Sequence, residues 1–256
     1  MRTQKVLALD FDGLLVDGLH ECVLVSWNGH HGKSLEHFSD EGLAQIPSSF
    51  IERFRNHRSF AKHLGHFFMP FQNDAGFFES QAEFDAAYGA LDPRQIERFV
   101  SRVTEYRGAA RRAFRARWLA YHQFYPGLEN MLRAASSPVC IVTAKDSGSV
   151  EELLQHAGLR LPEGRIHGEC RDKVRVLKAI SDSFEVSPDD VLFFDDNVLN
   201  AKDALSAGFR SHWAVWGYHA PEHFAIAEAA GLPAVDLEDL ILLGSEPDAA
   251  GMSIPS

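Results

Sequence analysis

Short apolar runs alternate with helical patterns along the second half of this chain, and that alternation restricts the fold more than any other feature. Runs that read as buried strands lie at 5–10 (KVLALD), 138–143 (PVCIVT), 165–168 (RIHG), 191–195 (VLFFD) and 211–216 (SHWAVW). Helical patterns fill 127–135, 147–158, 172–183 and 199–208. Strand, helix, strand in regular succession predicts crossover units and an α/β fold built on a parallel sheet covered on both faces. The helix ends agree: Asp172 is placed to cap a helix starting at Lys173, and Gly158 and Gly208 stand where helices should stop.

The stretch between the first two runs does not fit the alternation. Residues 17–125 show no convincing strand and read as several helices, one at 48–64 and another spanning about 94–121, with aromatics clustered at 65–78. More than a hundred helical residues are too many for a crossover. They predict an inserted domain at 17–123, with the sheet domain formed by 1–16 and 124–243 and a disordered tail at 244–256.

The formal net charge of −11 argues against a nucleic-acid-binding surface, and no apolar stretch is long enough to span a bilayer. The first residues lead straight into a strand without an export-signal pattern, so a cytoplasmic location is expected. The three cysteines form no CxxC pair, and Cys140 lies inside an apolar run, where it is expected as a free thiol. His30, His31, His57, His63 and His66 lack a ligand spacing and are read as packing or surface residues.

Ligands of open parallel sheets bind outside the carboxyl ends of the strands, so the residues at those ends carry the chemistry. The first strand ends at Asp10, followed by Asp12. The second ends at Thr143, the helix after the third begins at Lys173, and the fourth ends in Asp195 and Asp196. Each alone is an ordinary turn or capping residue. Together they place up to four carboxylates, a hydroxyl and an ammonium at one rim. Such carboxylates do not all stay ionised without a cation, and hard oxygen ligands suit Mg²⁺. With Lys and Thr, that set matches a dianionic phosphoryl group. It leaves one carboxylate to attack phosphorus and another to move a proton.

The segments "DFDGLLVDG", "VTAK", "DK" and "FFDDNVLNAKDALSAGF" resemble, in order and spacing, the four motifs of the haloacid dehalogenase superfamily. The resemblance covers about 1–18 and 124–216. It implies a Rossmann-like core, with the insertion as a helical C1 cap. It further implies that Asp10 is the nucleophile, forming an aspartyl-phosphate, and that Asp12 is the acid/base. Thr143, Ala144 and Lys173 would hold the phosphoryl group. Asp10, the Asp12 backbone carbonyl and Asp196 would bind Mg²⁺, with Asp195 as a direct or water-mediated ligand. Two departures stand out: Leu14 replaces the usual Thr or Val, and Asn200 replaces a frequent Asp.

Asp12 argues for phosphate-ester chemistry, because the dehalogenases of the superfamily lack an Asp there. The expected activity is Mg²⁺-dependent hydrolysis of a small phosphorylated metabolite. A phosphomutase, or a catalytically silent binding module on the same fold, stands as the alternative. A receiver domain is disfavoured because its acidic pair comes first, and no GxGxxG follows the first strand for a nicotinamide cofactor. Substrate choice is expected in the cap, where Arg55, Arg58 and Lys62 are spaced to share one helix face.

Overall fold

The computed structural model describes residues 4–72 and 76–245. Among these, eight strands form: β1 (Val6–Leu9), β2 (Val16–Asp17), β3 (Gln123–Phe124), β4 (Val139–Val142), β5 (Ile166–His167), β6 (Val191–Asp195), β7 (Arg210–Ala214) and β8 (Ala234–Val235). Six build one parallel sheet in the order β5-β4-β1-β6-β7-β8. The chain runs outward from β1 through β4 to β5, then returns to β1's other side for β6. This reversal makes the carboxyl ends of β1, β4 and β6 a topological switch point, where a crevice opens.

Every residue of β1, β4 and β6 is buried, as expected for strands covered on both faces. Alternate residues Val6, Ala8, Cys140, Val142, Val191 and Phe193 form one face and pack with Leu177 and Ile180 of the helix Lys173–Phe184. Side chains of this size each contribute about 1.5–3 kcal/mol when fully buried. The four helices expected between the later strands form at Leu128–Ala134, Ser147–His156, Lys173–Phe184 and Val198–Ser206. Asp172 caps the third by accepting from the Arg175 N–H, and Gly158 and Gly208 take the left-handed conformation beyond helix ends.

By contact the chain divides into two compact units. The sheet unit comprises the described residues of Met1–Asp17, Phe124–Gly217 and His223–Ser256. The helical unit comprises Gly18–Gln123 and a second short segment, Tyr218–Glu222. The last helix, Leu237–Ser245, includes the first two residues of the expected tail, and 246–256 lie outside the described residues.

Inside the helical unit, Leu19–His31 packs along Pro93–Ala113, and Gly29 makes the close approach possible. A Cβ there would sit 2.9 Å from the Val103 Cα. Buried Glu21 accepts from Arg107 Nε (2.8 Å), Arg107 Nη2 (3.1 Å) and Trp118 Nε1 (3.3 Å). The aromatic cluster stacks His30 on Phe71, with Trp27 and Phe50 against the same ring.

Three local expectations are corrected. Residues 17–125 do take part in a strand pair, because β2 and β3 form a two-stranded sheet. The 94–121 helix is two helices, Pro93–Ala113 and Arg115–Ala120, broken at Phe114 (φ −129°, ψ 47°) in a turn that leaves Trp118 able to reach Glu21. The 48–64 helix stops at Phe60. Ala61 is extended, and the following Lys62 N–H is accepted by His66 Nδ1 instead of by a helical carbonyl.

Candidate active site

All the expected core residues lie in the sheet unit, delivered by the ends of β1, β4 and β6 and by the helix after β5. Asp10 follows β1 directly and its N–H bonds to Phe194 O (3.0 Å), which holds the end of β1 level with the end of β6. Beyond it the chain turns sharply: Gly13 adopts φ 89°, a conformation costly for any residue with a Cβ, and its N–H reaches Val16 O at 2.8 Å.

Lys173, at the first position of its helix, projects its ammonium between two carboxylates. It lies 2.7 Å from Asp195 Oδ2 and 3.0 Å from Asp10 Oδ1. All three side chains are at least nine-tenths buried. Burial pushes the Asp10 carboxyl up to about 6; Lys173 opposes that rise and the Asp195 charge adds to it. Burial alone would lower Lys173, but the two carboxylates hold it above its ordinary value. The group is therefore an ammonium between two acids, one of which is not fully compensated.

Asp195 is thoroughly satisfied. Its Oδ1 accepts from the Asn197 N–H (2.8 Å), and its Oδ2 accepts from Lys173 and from Asn200 Nδ2 (3.1 Å). This explains Asn200, because an Asp there has no proton to donate and would place a second negative charge 3.1 Å from Asp195. Asp10 Oδ1 is the opposite case. Lys173 approaches it as an ion pair out of hydrogen-bond alignment, so that oxygen is buried without a hydrogen bond.

Asp10, Asp195 and Asp196 each offer an oxygen within 4.8 Å of the others. Three carboxylates against the Lys173 ammonium leave two negative charges in a buried site. An orphaned carboxylate oxygen, an all-oxygen donor set and a charge deficit of two fit a hard divalent cation such as Mg²⁺. Asp10 and Asp196 retain this role most readily, since Asp195 is held by Lys173, Asn197 and Asn200.

Thr143 is buried at the end of β4. Its Oγ1 accepts from the Lys145 N–H (3.2 Å), so the hydroxyl proton is directed elsewhere, toward an anionic oxygen. Ala144 follows as an exposed residue. The sequence reading passed over Lys145, although it stands in the quoted "VTAK". Its ammonium lies 3.2 and 3.3 Å from the two Asp12 carboxylate oxygens. Trp213, Trp216 and Gly217 were also missed. Trp213 Nε1 donates to Asp196 O and Trp216 Nε1 to Leu14 O, each at 2.9 Å. A Cβ on Gly217 would lie 2.4 Å from both Asp196 Cβ and Gly13 O. Leu14 is thereby explained: its side chain is fully buried and its carbonyl is held by an indole, so the position is a packing one.

The three cap candidates lie in the helical unit. Arg55 and Lys62 are exposed, and Lys62 stands beyond the helix end, so the three do not share one helix face. Arg58 is half-buried over the Tyr218 ring at 4.3 Å and donates to Ala61 O. The nearby histidines are bound into packing. His57 Nε2 donates to Gly76 O at 2.8 Å, and burial pushes His57 down to about 4. Burial, reinforced by His63, pushes His66 down to about 3.

A family model for haloacid dehalogenase-like hydrolases matches residues 4–208. The chain belongs to this family. No curated relative matches the sequence. Solved structures agree on the fold. One described as a predicted phosphatase from Clostridium acetobutylicum is 18% identical over 94% of this chain and 98% of its own, with a TM-score of 0.61. One described as a predicted phosphoglycolate phosphatase from Haemophilus somnus is 17% identical over 95% and 99%, with a TM-score of 0.63. A haloacid dehalogenase-like family protein from Streptococcus pneumoniae is 16% identical over 95% and 98%, with a TM-score of 0.59. The haloacid dehalogenase-like chain is thus a hydrolase of α/β class, with a Rossmann-like parallel sheet and a helical cap. No helix among its described residues is long and apolar enough to cross a membrane.

Proposed function

We propose that this hydrolase cleaves small-molecule phosphomonoesters through a phosphoenzyme on Asp10. The observation that carries the reading is the Lys173 ammonium held between Asp10 and Asp195, with Asp10 Oδ1 buried and lacking a hydrogen bond. A carboxylate kept dry and under-compensated is a competent nucleophile toward phosphorus. Its oxygen forms a bond to phosphorus as the ester P–O bond breaks, and Asp12 gives a proton to the departing oxygen. Asp12 then takes a proton from water, whose oxygen attacks phosphorus and releases Asp10 with inorganic phosphate. Lys173 and the Thr143 hydroxyl hold the phosphoryl oxygens, joined by the backbone beside Ala144. Asp10, the Asp12 carbonyl and Asp196, assisted by Asp195, would hold Mg²⁺, which when bound supplies charge neutralisation for the phosphoryl group. The helical unit is assigned to substrate selection, with Arg55, Arg58 and Lys62 as its candidate contacts, and the location to the cytoplasm.

Turnover of p-nitrophenyl phosphate with and without Mg²⁺ tests the reading. Wild-type activity should need the cation and be abolished by chelation. Asp10→Asn should lose about 10³-fold or more while its circular dichroism is unchanged. A wild-type protein inactive on a panel of phosphomonoesters, or an active Asp10→Asn variant, overturns it.

A further inference from the structure

Lys145 is a second lysine at the rim, and the reaction as proposed does not use it. Its position is well fixed: its N–H donates to Thr143 Oγ1, its carbonyl accepts from the Glu169 N–H at 2.9 Å, and Asp146 next to it caps the following helix. Its side chain is only 6% exposed, less than the 20% of its partner Asp12. Both oxygens of Asp12 face the ammonium, at 3.2 and 3.3 Å.

This pairing cannot persist through the reaction. When Asp12 carries the proton it delivers to the departing oxygen, it has no charge to offer. A nearly buried ammonium would then face a neutral carboxyl, a costly arrangement unless another anion comes into reach. Glu169, joined to this loop through its backbone, is exposed, and the Lys173 ammonium is already shared by Asp10 and Asp195. The substrate is the remaining source of an anion. Asp12 touches both the ester oxygen and Lys145, so the ammonium stands within about 6 Å of that oxygen, the span of two hydrogen bonds. A carboxylate on the carbon next to the ester oxygen, or a phosphate one carbon further on, reaches into this space.

We propose that Lys145 is a specificity-determining residue that selects phosphomonoesters whose leaving group carries a second anionic group close to the ester oxygen. This rests on the phosphomonoesterase reading and names the substrate class within it. Lys145 exchanges Asp12 for the substrate's anion as Asp12 is engaged in proton transfer. The charge-assisted contact is worth about tenfold to a hundredfold in kcat/KM, expressed mainly in KM.

The test compares matched substrate pairs. Phosphoglycolate is set against its neutral amide, and ethylene glycol bisphosphate against 2-hydroxyethyl phosphate. The first pair reports on a carboxylate and the second on a phosphate. Wild type should prefer the anionic member of at least one pair by about tenfold or more. Lys145→Gln should bring that ratio close to one, and Lys145→Arg, which keeps the charge, should recover much of it. If Lys145→Gln lowers both members of each pair equally, Lys145 only positions Asp12 and the inference falls. The same follows if wild type cleaves both members alike. If wild type cleaves none of the four and no p-nitrophenyl phosphate, the phosphomonoesterase reading falls first and takes the inference with it.

Discussion

Glu21 in the helical unit and Asp10 in the sheet unit are both carboxylates taken out of water, and the protein treats them in opposite ways. Glu21 is surrounded by donors aimed at its oxygens: two guanidinium N–H groups and an indole N–H. Asp10 has a lysine at salt-bridge distance, a neighbouring acid that repels it and an oxygen with no hydrogen bond. A buried charge whose partners are complete holds structure together. One left incomplete keeps a capacity to bind or react, at a cost in stability. The difference separates architecture from chemistry without any appeal to family membership.

The strongest way to break this comparison is Glu21→Ala. It strands the Arg107 guanidinium and should cost about 3–5 kcal/mol in urea unfolding followed by circular dichroism. Turnover per folded molecule should not change. A cost under about 1 kcal/mol would mean that Arg107 is satisfied by water and that Glu21 is no anchor.

A smaller effect is expected of Gly217→Ala. The new methyl would press on Asp196 Cβ and Gly13 O, for an overpacking cost of about 1–3 kcal/mol. Since the displaced group is a candidate cation ligand, the rise in melting temperature on adding Mg²⁺ should also shrink. An unchanged Mg²⁺ response would separate this loop from the acidic cluster.

The mildest test uses pH. His57 and His66 are held neutral at about 4 and about 3, both below the ordinary 6.5. Between those values and 6.5 the unfolded chain binds protons that the folded chain does not. Their contribution is therefore complete above about pH 6.5 and is lost as pH falls toward 4, with a limiting slope of about 1.4 kcal/mol per pH unit for each group. Unfolding measured from pH 7 to pH 4.5 should show this decline, and His57→Gln should flatten it. A profile unaffected by His57→Gln would show that the acid sensitivity comes from elsewhere.

These contrasts also explain what could be read from the sequence. The sheet, its helices and the acids at the strand ends were legible because a parallel strand buried on both faces must be continuously apolar, and whatever ends it stands out. Asp10, Asp12, Thr143, Lys173, Asp195 and Asp196 were visible for that reason. Lys145 was quoted and passed over, since nothing in its spacing says that it turns toward Asp12. Trp213, Trp216 and Gly217 left no local trace because their roles arise where β7 and the loop after it meet the two acidic loops. The break at Phe114 was hidden for a similar reason: the helical period runs on through it while Trp118 is required at Glu21.

The segment Tyr218–Glu222 has a consequence for how the chain acquires its shape. Ala220 is buried among Phe60, Met69 and Phe84, and the Glu222 carboxylate accepts from the Gln81 N–H, so the helical unit is closed by residues that follow β7. The sheet unit likewise waits: β1 is made first, but its partners begin at Val139 and Val191. Neither unit exists as one stretch of polypeptide. On a ribosome both remain open until nearly the same late residues emerge, and such non-local closure makes for slow folding. A fragment cut at the apparent border, such as 18–123, would lack the piece that seals its own core.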